Sequence, residues 1–316
     1  MPPRTDTSLA AMLLAQRLVD TPVAPLKSSE YWALLRHVPD PAVLLGLDAA
    51  EIAGATGVES TLAERVARLC EAATSVAFRL DELEQSGLRV IASVDDRYPQ
   101  ALVGRLGRSA PPLLYAVGDT ALLGSELLGI VGSRDIDAAA AAVARGVAST
   151  AAAHGLGVIS GAAKGVDRLA MTAALAAGGS VVGVLADSLV RSTRDPEVRP
   201  AVSDGRLCLC TPYKPTAGFS VANAMGRNKI IYALSKATLV VTADAEKGGT
   251  WAGAAEALRQ SIAPVLAWTG EGAGAGNALL VERGARAVER LAELFPIPDR
   301  AERSSDERPD QLALEV

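Results

Sequence analysis

From residue 126 to about residue 287 the chain alternates short apolar runs with longer stretches of helical spacing, the pattern of strands joined by crossover helices. The first run, Leu127-Leu128-Gly129-Ile130-Val131, predicts a strand buried on both faces. An alanine-rich helix follows over 138–153 and ends near Gly155, and Val158-Ile159 enters the next strand. Further strands are expected over 180–185, 206–211, 238–242 and 263–268, with helices over 167–177, 223–235, 250–261 and 277–283. Ahead of this region the pattern differs. Leu9, Met12, Leu13 and Leu14, then Tyr31, Trp32, Leu34 and Leu35, then Leu62, Val66 and Leu69 recur at helical spacing. Residues 88–92 read as a strand, Asp96-Arg97-Tyr98-Pro99 as a turn, and 111–118 as an extended lead-in. The expectation is an α/β protein with a doubly wound, mostly parallel sheet over 85–290 and a small helical domain over 1–84. A charged, proline-containing tail over 291–316 is expected to be disordered.

Two parallel strands joined by a helix form a right-handed crossover, which brings the loops after both strands to one sheet edge. The first loop is Gly132-Ser133-Arg134. Glycine lets a phosphate approach the backbone, Ser133 offers a hydroxyl and Arg134 can hold two oxygens at once. A plain turn with a solvated arginine explains the same residues. The second loop, Ser160-Gly161-Ala162-Ala163-Lys164-Gly165, keeps bulky side chains away. Gly165 suits a positive φ, Lys164 a phosphate contact, and Asp167 reads as the cap of the next helix. Arg227, Asn228 and Lys229 stand just before an apolar helical run. Cations in a first turn oppose the helix dipole unless an anion sits there, although for Lys229 plain exposure serves as well. Lys247-Gly248-Gly249-Thr250 makes a third phosphate-compatible loop, with Trp251 behind it as a core anchor in preference to a base-stacking platform. Gly274-Ala275-Gly276-Asn277 reads as a flexible turn.

Composition narrows the choice of function. Of 316 residues 49% are hydrophobic but only 3% aromatic, so Ala, Leu and Val must fill the core. A net charge of −5 argues against a surface coated for duplex DNA and leaves room for a local basic cleft. Cys70, Cys208 and Cys210 lack metal-ligand spacing and suit a reducing compartment, the latter two alternating onto one face of a strand. No signal-peptide pattern and no apolar run of spanning length is present, so a cytoplasmic protein without a membrane partner is expected. His37 and His154 are the only histidines and sit in no nucleophile or metal constellation. The dinucleotide fingerprint and the Walker lysine motif are absent. The residues assign several phosphate grips, and no catalytic residue, metal or cofactor.

These pieces occur in the order of a known family. Asp96-Arg97-Tyr98-Pro99, Pro111-Pro112-Leu113-Leu114-Tyr115, Ile130 to Arg134, Ser160 to Asp167, Arg227 to Ile231, Gly248-Gly249-Thr250 and Gly276 to Leu280 together resemble the DprA/Smf family (DNA-processing protein A). The resemblance runs from the N-terminal helices to about residue 287. It implies an extended Rossmann-like domain preceded by a SAM-like helical one, and a member without the C-terminal winged helix that many relatives carry. It also implies a homodimer that binds single-stranded DNA in recombination or transformation and loads the RecA recombinase. Carried onto this sequence, the DNA pocket comprises Gly132, Ser133, Arg134, Ser160, Gly161, Lys164 and Gly165. Arg227, Asn228 and Lys229 form its wall, beside the loop of Lys247, Gly248, Gly249 and Thr250. Two alternatives remain at this level. One is a nucleotide sensor or an enzyme similar to the LOG phosphoribohydrolases, for which Glu256 is the candidate acid, although a solvent-facing helix glutamate fits it better. The other is an adaptor in defence against foreign DNA.

Overall fold

The computed structural model describes residues 4–196, 198–295 and 297. The chain opens with five helices: α1 (Asp6–Ala15), α2 (Ser28–His37), α3 (Ala49–Thr56), α4 (Ser60–Cys70) and α5 (Ala73–Gln85). Local chemistry sets their ends. The Ser8 N–H donates to the Thr5 hydroxyl at the start of α1, and Asp48 with Glu51 forms a capping box on α3. Gly57 closes α3 at a left-handed φ of +69°, which a glycine adopts without strain. The apolar stripes of these helices meet in one core through Met12, Leu14, Tyr31, Leu34, Val66 and Leu69. That core continues onto Ala92 and Leu113 of the sheet.

Among the described residues nine strands follow: β1 (Arg89–Ala92), β2 (Leu113–Gly118), β3 (Leu127–Val131), β4 (Gly157–Ser160), β5 (Val181–Val184), β6 (Leu207–Thr211), β7 (Ala237–Val240), β8 (Val265–Trp268) and β9 (Arg286–Val288). They form one sheet in the order β1-β2-β6-β5-β4-β3-β7-β8-β9. The β1–β2 and β2–β6 pairs are antiparallel and the other pairs parallel. The connecting helices are α6 (Gln100–Leu106), α7 (Ala138–Ala153), α8 (Val166–Ala176), α9 (Leu189–Ser192), α10 (Arg199–Ser203), α11 (Val221–Leu234), α12 (Gly248–Arg259) and α13 (Ala275–Glu282). The parallel strands from β3 to β8 are buried along their whole length, because helices cover both faces. On one face Ala144, Val147 and Ala148 of α7 and Ala170 of α8 lie over Leu128, Ile130 and Val158. On the other, Ile230 and Ile231 of α11 and Trp251 and Ala254 of α12 cover Val131, Ile159 and Val240. Alanine lets α7 and α8 approach closely, which is how a chain so poor in aromatics still fills its core.

The topology fixes where a ligand can enter. From β3 the chain winds outward through β4, β5 and β6, then returns to the other side of β3 and winds outward again through β7, β8 and β9. Beside β3 and β7 the direction of winding reverses, and the loops leaving their carboxyl ends part to opposite faces. Such a switch point opens a crevice.

The strands and helices expected from periodicity are all present, with bounds moved by up to a few residues. Four segments were not foreseen: α6, α9 and α10, which span too few turns for a helical period to register, and β9, whose edge position leaves Arg286 and Ala287 exposed. The ordered chain also runs past residue 290. A 3₁₀ turn covers Leu291–Glu293, Leu294 is buried, and Phe295 stacks on His154 with ring centroids 4.0 Å apart. The tail expected beyond it lies outside the described residues.

Candidate functional site

The loops at the switch point are locked together before any side chain reaches outward. Gly132, leaving β3, passes so close to Val166 that a Cβ would overlap that side chain. The Ser133 N–H donates to the Thr242 carbonyl at 3.0 Å, tying the loop after β3 to the loop after β7. Gly165 takes a φ of +89° and lies against the backbone of Ser133 and Arg134, so any side chain there meets both strain and overlap. From the other side Asn277 braces the β7 loop. Its amide NH₂ donates to the carbonyls of Val240, Val241 and Trp268 at 3.2, 2.9 and 2.8 Å, and its oxygen accepts from the Ala243 N–H at 2.9 Å. The glycine-rich turn at 274–277 is therefore a close-packed support, because Gly274 and Gly276 lie against the backbone of Ala243 and Asp244.

Above this frame is a cleft of about 610 Å³ between the loop after β3, α11 and the start of α12. Arg134, Arg227 and Lys247 line it, as do Asp135, Asp167 and Asp244, so the formal charges cancel. An anion entering the cleft would therefore meet directed donors in place of a formal excess of positive charge. The start of α12 supplies some of them. Lys247 occupies its N-cap without a side-chain cap bond, leaving the N–H groups of the first turn, beginning at Gly248, Gly249 and Thr250, for an outside acceptor. Asn228 steadies this turn by donating to the Gly249 carbonyl at 3.0 Å. At the lip the Arg134 guanidinium lies 5.3 Å from the ring centre of Phe219. Phe219 is 53% exposed and Val221 73% exposed, unusual for large apolar side chains.

The floor of the cleft is buried and polar. Arg227 is only 5% exposed; its Nη1 donates to the Val184 carbonyl at 3.0 Å and lies 4.0 Å from Asp167 Oδ2. The same carboxylate oxygen accepts from the Gly161 N–H at 3.2 Å. Burial pushes the Asp167 carboxyl above its ordinary value and the Arg227 guanidinium below its own, with their mutual attraction opposing both. Two polar atoms on this floor have no partner, Arg227 Nε and the Tyr232 hydroxyl. Leaving such atoms buried and unmatched costs about 1–3 kcal/mol each.

Residues 89–296 match the family model of DNA recombination-mediator protein A. The chain belongs to the DprA/Smf family. It is 30% identical over 253 residues to the DNA processing protein DprA of Mycobacterium tuberculosis, across 75% of this chain and 64% of that relative. The chain thus spans somewhat under two thirds of the relative's length. The solved structure of DNA processing protein A from Streptococcus pneumoniae superposes with a TM-score of 0.66 at 24% identity, over 92% of this chain and 96% of that one. That from Helicobacter pylori gives 0.54 at 20% identity, over 65% of this chain and 93% of that one. At these identities the two structures speak for the fold.

In this DprA/Smf chain the expected site residues separate into three groups. Gly132, Ser133, Arg134, Arg227, Asn228, Lys247, Gly248, Gly249 and Thr250 come together around the cleft. Ser160, Gly161 and Gly165 serve the frame beneath it. The Ser160 hydroxyl is fully buried and donates to the Ile130 carbonyl at 2.6 Å, and a Cβ at Gly161 would fall on the Arg227 guanidinium. Lys164 and Lys229 turn elsewhere. Lys164 projects into solvent with Asp135 3.4 Å away, and Lys229 pairs with Glu256 at 3.0 Å on another face of α11. Two expectations built on helix ends also change. Helix α11 begins at Val221, so Arg227 lies mid-helix and owes nothing to the dipole of a first turn. The cap position of α8 belongs to Gly165, and Asp167 is a buried partner of Gly161 and Arg227. Glu256 is likewise no free surface residue, being held by Lys229 and by Arg259 at 3.8 Å.

Asp135, Phe219, Val221, Tyr232 and Asp244 are among the cleft residues that sequence reasoning missed. Phe219 had a signal: it is one of three phenylalanines in the chain and sits in a Pro- and Gly-containing loop. Tyr232 had none, because in an apolar helical run its hydroxyl looks like any core tyrosine.

Proposed function

We propose that this chain binds single-stranded DNA at the switch-point cleft, holding the strand by its phosphates, as a non-catalytic protein of DNA processing and recombination. The observation that carries this reading is the N-terminus of α12, open to the cleft without a side-chain cap and flanked by Arg134 and Lys247. A phosphate supplies acceptors to such donors at once, and glycines at 132, 248 and 249 let it come close. Phe219 offers a face on which a base can stack beside the Arg134 guanidinium. Single strands expose such bases and a duplex does not. The Helicobacter pylori relative is described as binding single-stranded DNA, which supports the same ligand here.

Family membership extends the proposal to a homodimer in the cytoplasm that passes the bound strand to RecA. The hydrolase reading is weaker, because Glu256 is tied up by Lys229 and Arg259 outside the cleft lining. The test is fluorescence anisotropy with a labelled single strand, comparing wild type with Arg134→Ala and Lys247→Ala. Each variant is expected to weaken binding about tenfold and to flatten the salt dependence by about 0.7 in log–log slope. Unchanged affinity in both variants would remove the cleft from consideration.

A further inference from the structure

A second cleft, of about 570 Å³, lies on the other side of α11, walled by the segment after α1, by residues 109–115 and by the loop after β6. Its charge is unlike that of the first. Arg17, Lys214 and Lys229 line it and, among the described residues, no Asp or Glu does, in a chain whose net charge is −5. Lys229 meets its carboxylate, Glu256, outside this lining. Arg17 and Lys214 are exposed. The walls between the cations are apolar and flat, formed by Pro111, Pro112 and Tyr213. Tyr213 is fixed there: its hydroxyl donates to the Asn223 carbonyl at 2.8 Å, and the missing side chain of Gly226 makes room for it.

The two clefts share their dividing wall. Along α11, Ala224, Arg227 and Asn228 face the first cleft, while Asn223, Gly226 and Lys229 face the second. In the loop before the helix, Ala217 lines the second cleft and Phe219 the first. The ridge between them carries Phe219 and Val221, two of the large apolar side chains the surface leaves exposed. Cations at intervals, flat apolar walls and an exposed ring on the crest are the parts of a single-strand track.

We propose that the second cleft is a continuation of the nucleic-acid site: a single strand held by its phosphates at the switch point crosses the ridge at 219–221 and lays its next phosphates against Arg17 and Lys214. This rests on the reading of the first cleft given above. The cationic excess sits where the strand leaves the charge-balanced site, so the first cleft orients the strand and the second adds length-dependent affinity.

Arg17→Glu/Lys214→Glu alters exposed side chains only, and circular dichroism checks that the fold is retained. Anisotropy is measured with strands of about 5 and about 20 nucleotides, the shorter filling one cleft and the longer reaching both. The double variant is expected to bind the long strand at least about tenfold more weakly and the short strand within about twofold of wild type. Equal affinity of variant and wild type for the long strand, with Arg134→Ala still weakening both lengths, would overturn the second cleft and leave the first standing. Loss in neither variant would overturn both. A nucleoside monophosphate that binds wild type and not the double variant, with strand affinity untouched, would reassign the second cleft to a small nucleotide and overturn the track.

Discussion

At the scale of single residues, the cleft floor ties stability to binding through groups that the fold leaves incompletely matched. Tyr232 is fully buried with an unpartnered hydroxyl. Tyr232→Phe is therefore expected to stabilise the free protein by about 1 kcal/mol while weakening its hold on a strand. Thermal denaturation and anisotropy on the same preparation check both halves, and a variant that loses stability would show the hydroxyl to be satisfied. Asp167 gives a dependence on pH. Its carboxyl is raised above 3.8 chiefly by burial, so the folded state takes up its proton more readily than the unfolded chain does. The stability this contributes is complete in acid, below the unfolded value, and is lost as pH rises through the folded value. Relative to Asp167→Asn, the wild type should gain melting temperature as pH falls from neutrality towards about 4. A constant difference between the two across that range would mean that the charge of Asp167 is fully compensated by Arg227.

At the scale of elements, the start of α12 leaves its first N–H groups without a side-chain cap. A lysine at the N-cap supplies no oxygen to the free N–H groups and places a positive charge at the positive end of the helix. Lys247→Ser provides the missing cap and should raise stability by about 1 kcal/mol while reducing strand affinity about tenfold. Equilibrium unfolding in urea beside a binding titration would show the two effects moving in opposite directions; a loss of stability would indicate that another group already caps the helix. The loops that carry this helix and Arg134 are not free to compensate. Hydrogen bonds from Asn277 and Ser133 and the close packing at Gly132, Gly165 and Gly276 hold them in one arrangement.

At the scale of the whole molecule, the sheet order decides which loops meet, and the charge distribution decides how the site works. A protein of net charge −5 with a charge-balanced first cleft has little long-range attraction for a polyanion. On the proposed reading, affinity for a single strand comes from contacts made after arrival, and its salt dependence should count them. Three phosphates held at the first cleft give a log–log slope of about −2 on a short strand, and two more at the second cleft about −3.5 on a long one. A salt titration at the two lengths checks this, and a slope near zero at both would mean that phosphates are not what the clefts hold.

Much of this was legible in the chain itself. Strand and helix periods, the glycines at 132, 248 and 249 and the order of the motifs indicate the fold class and point to nine of the fourteen named residues that the structure brings around one cleft. These are local properties, carried by spacing and by backbone requirements that a sequence displays directly. What only the tertiary structure decided was the direction and environment of individual side chains. Lys164 and Lys229 look as eligible as Arg134 in the sequence, yet one faces solvent beside Asp135 and the other is bound by Glu256. Arg227 looks like a surface grip and is buried against Asp167, while Tyr232 looks like core and brings an unmatched hydroxyl to the site. Such outcomes depend on which partner stands opposite, often tens of residues away along the chain. Periodicity carries no information about that partner, and burial and hydrogen bonding are set only when the two segments meet.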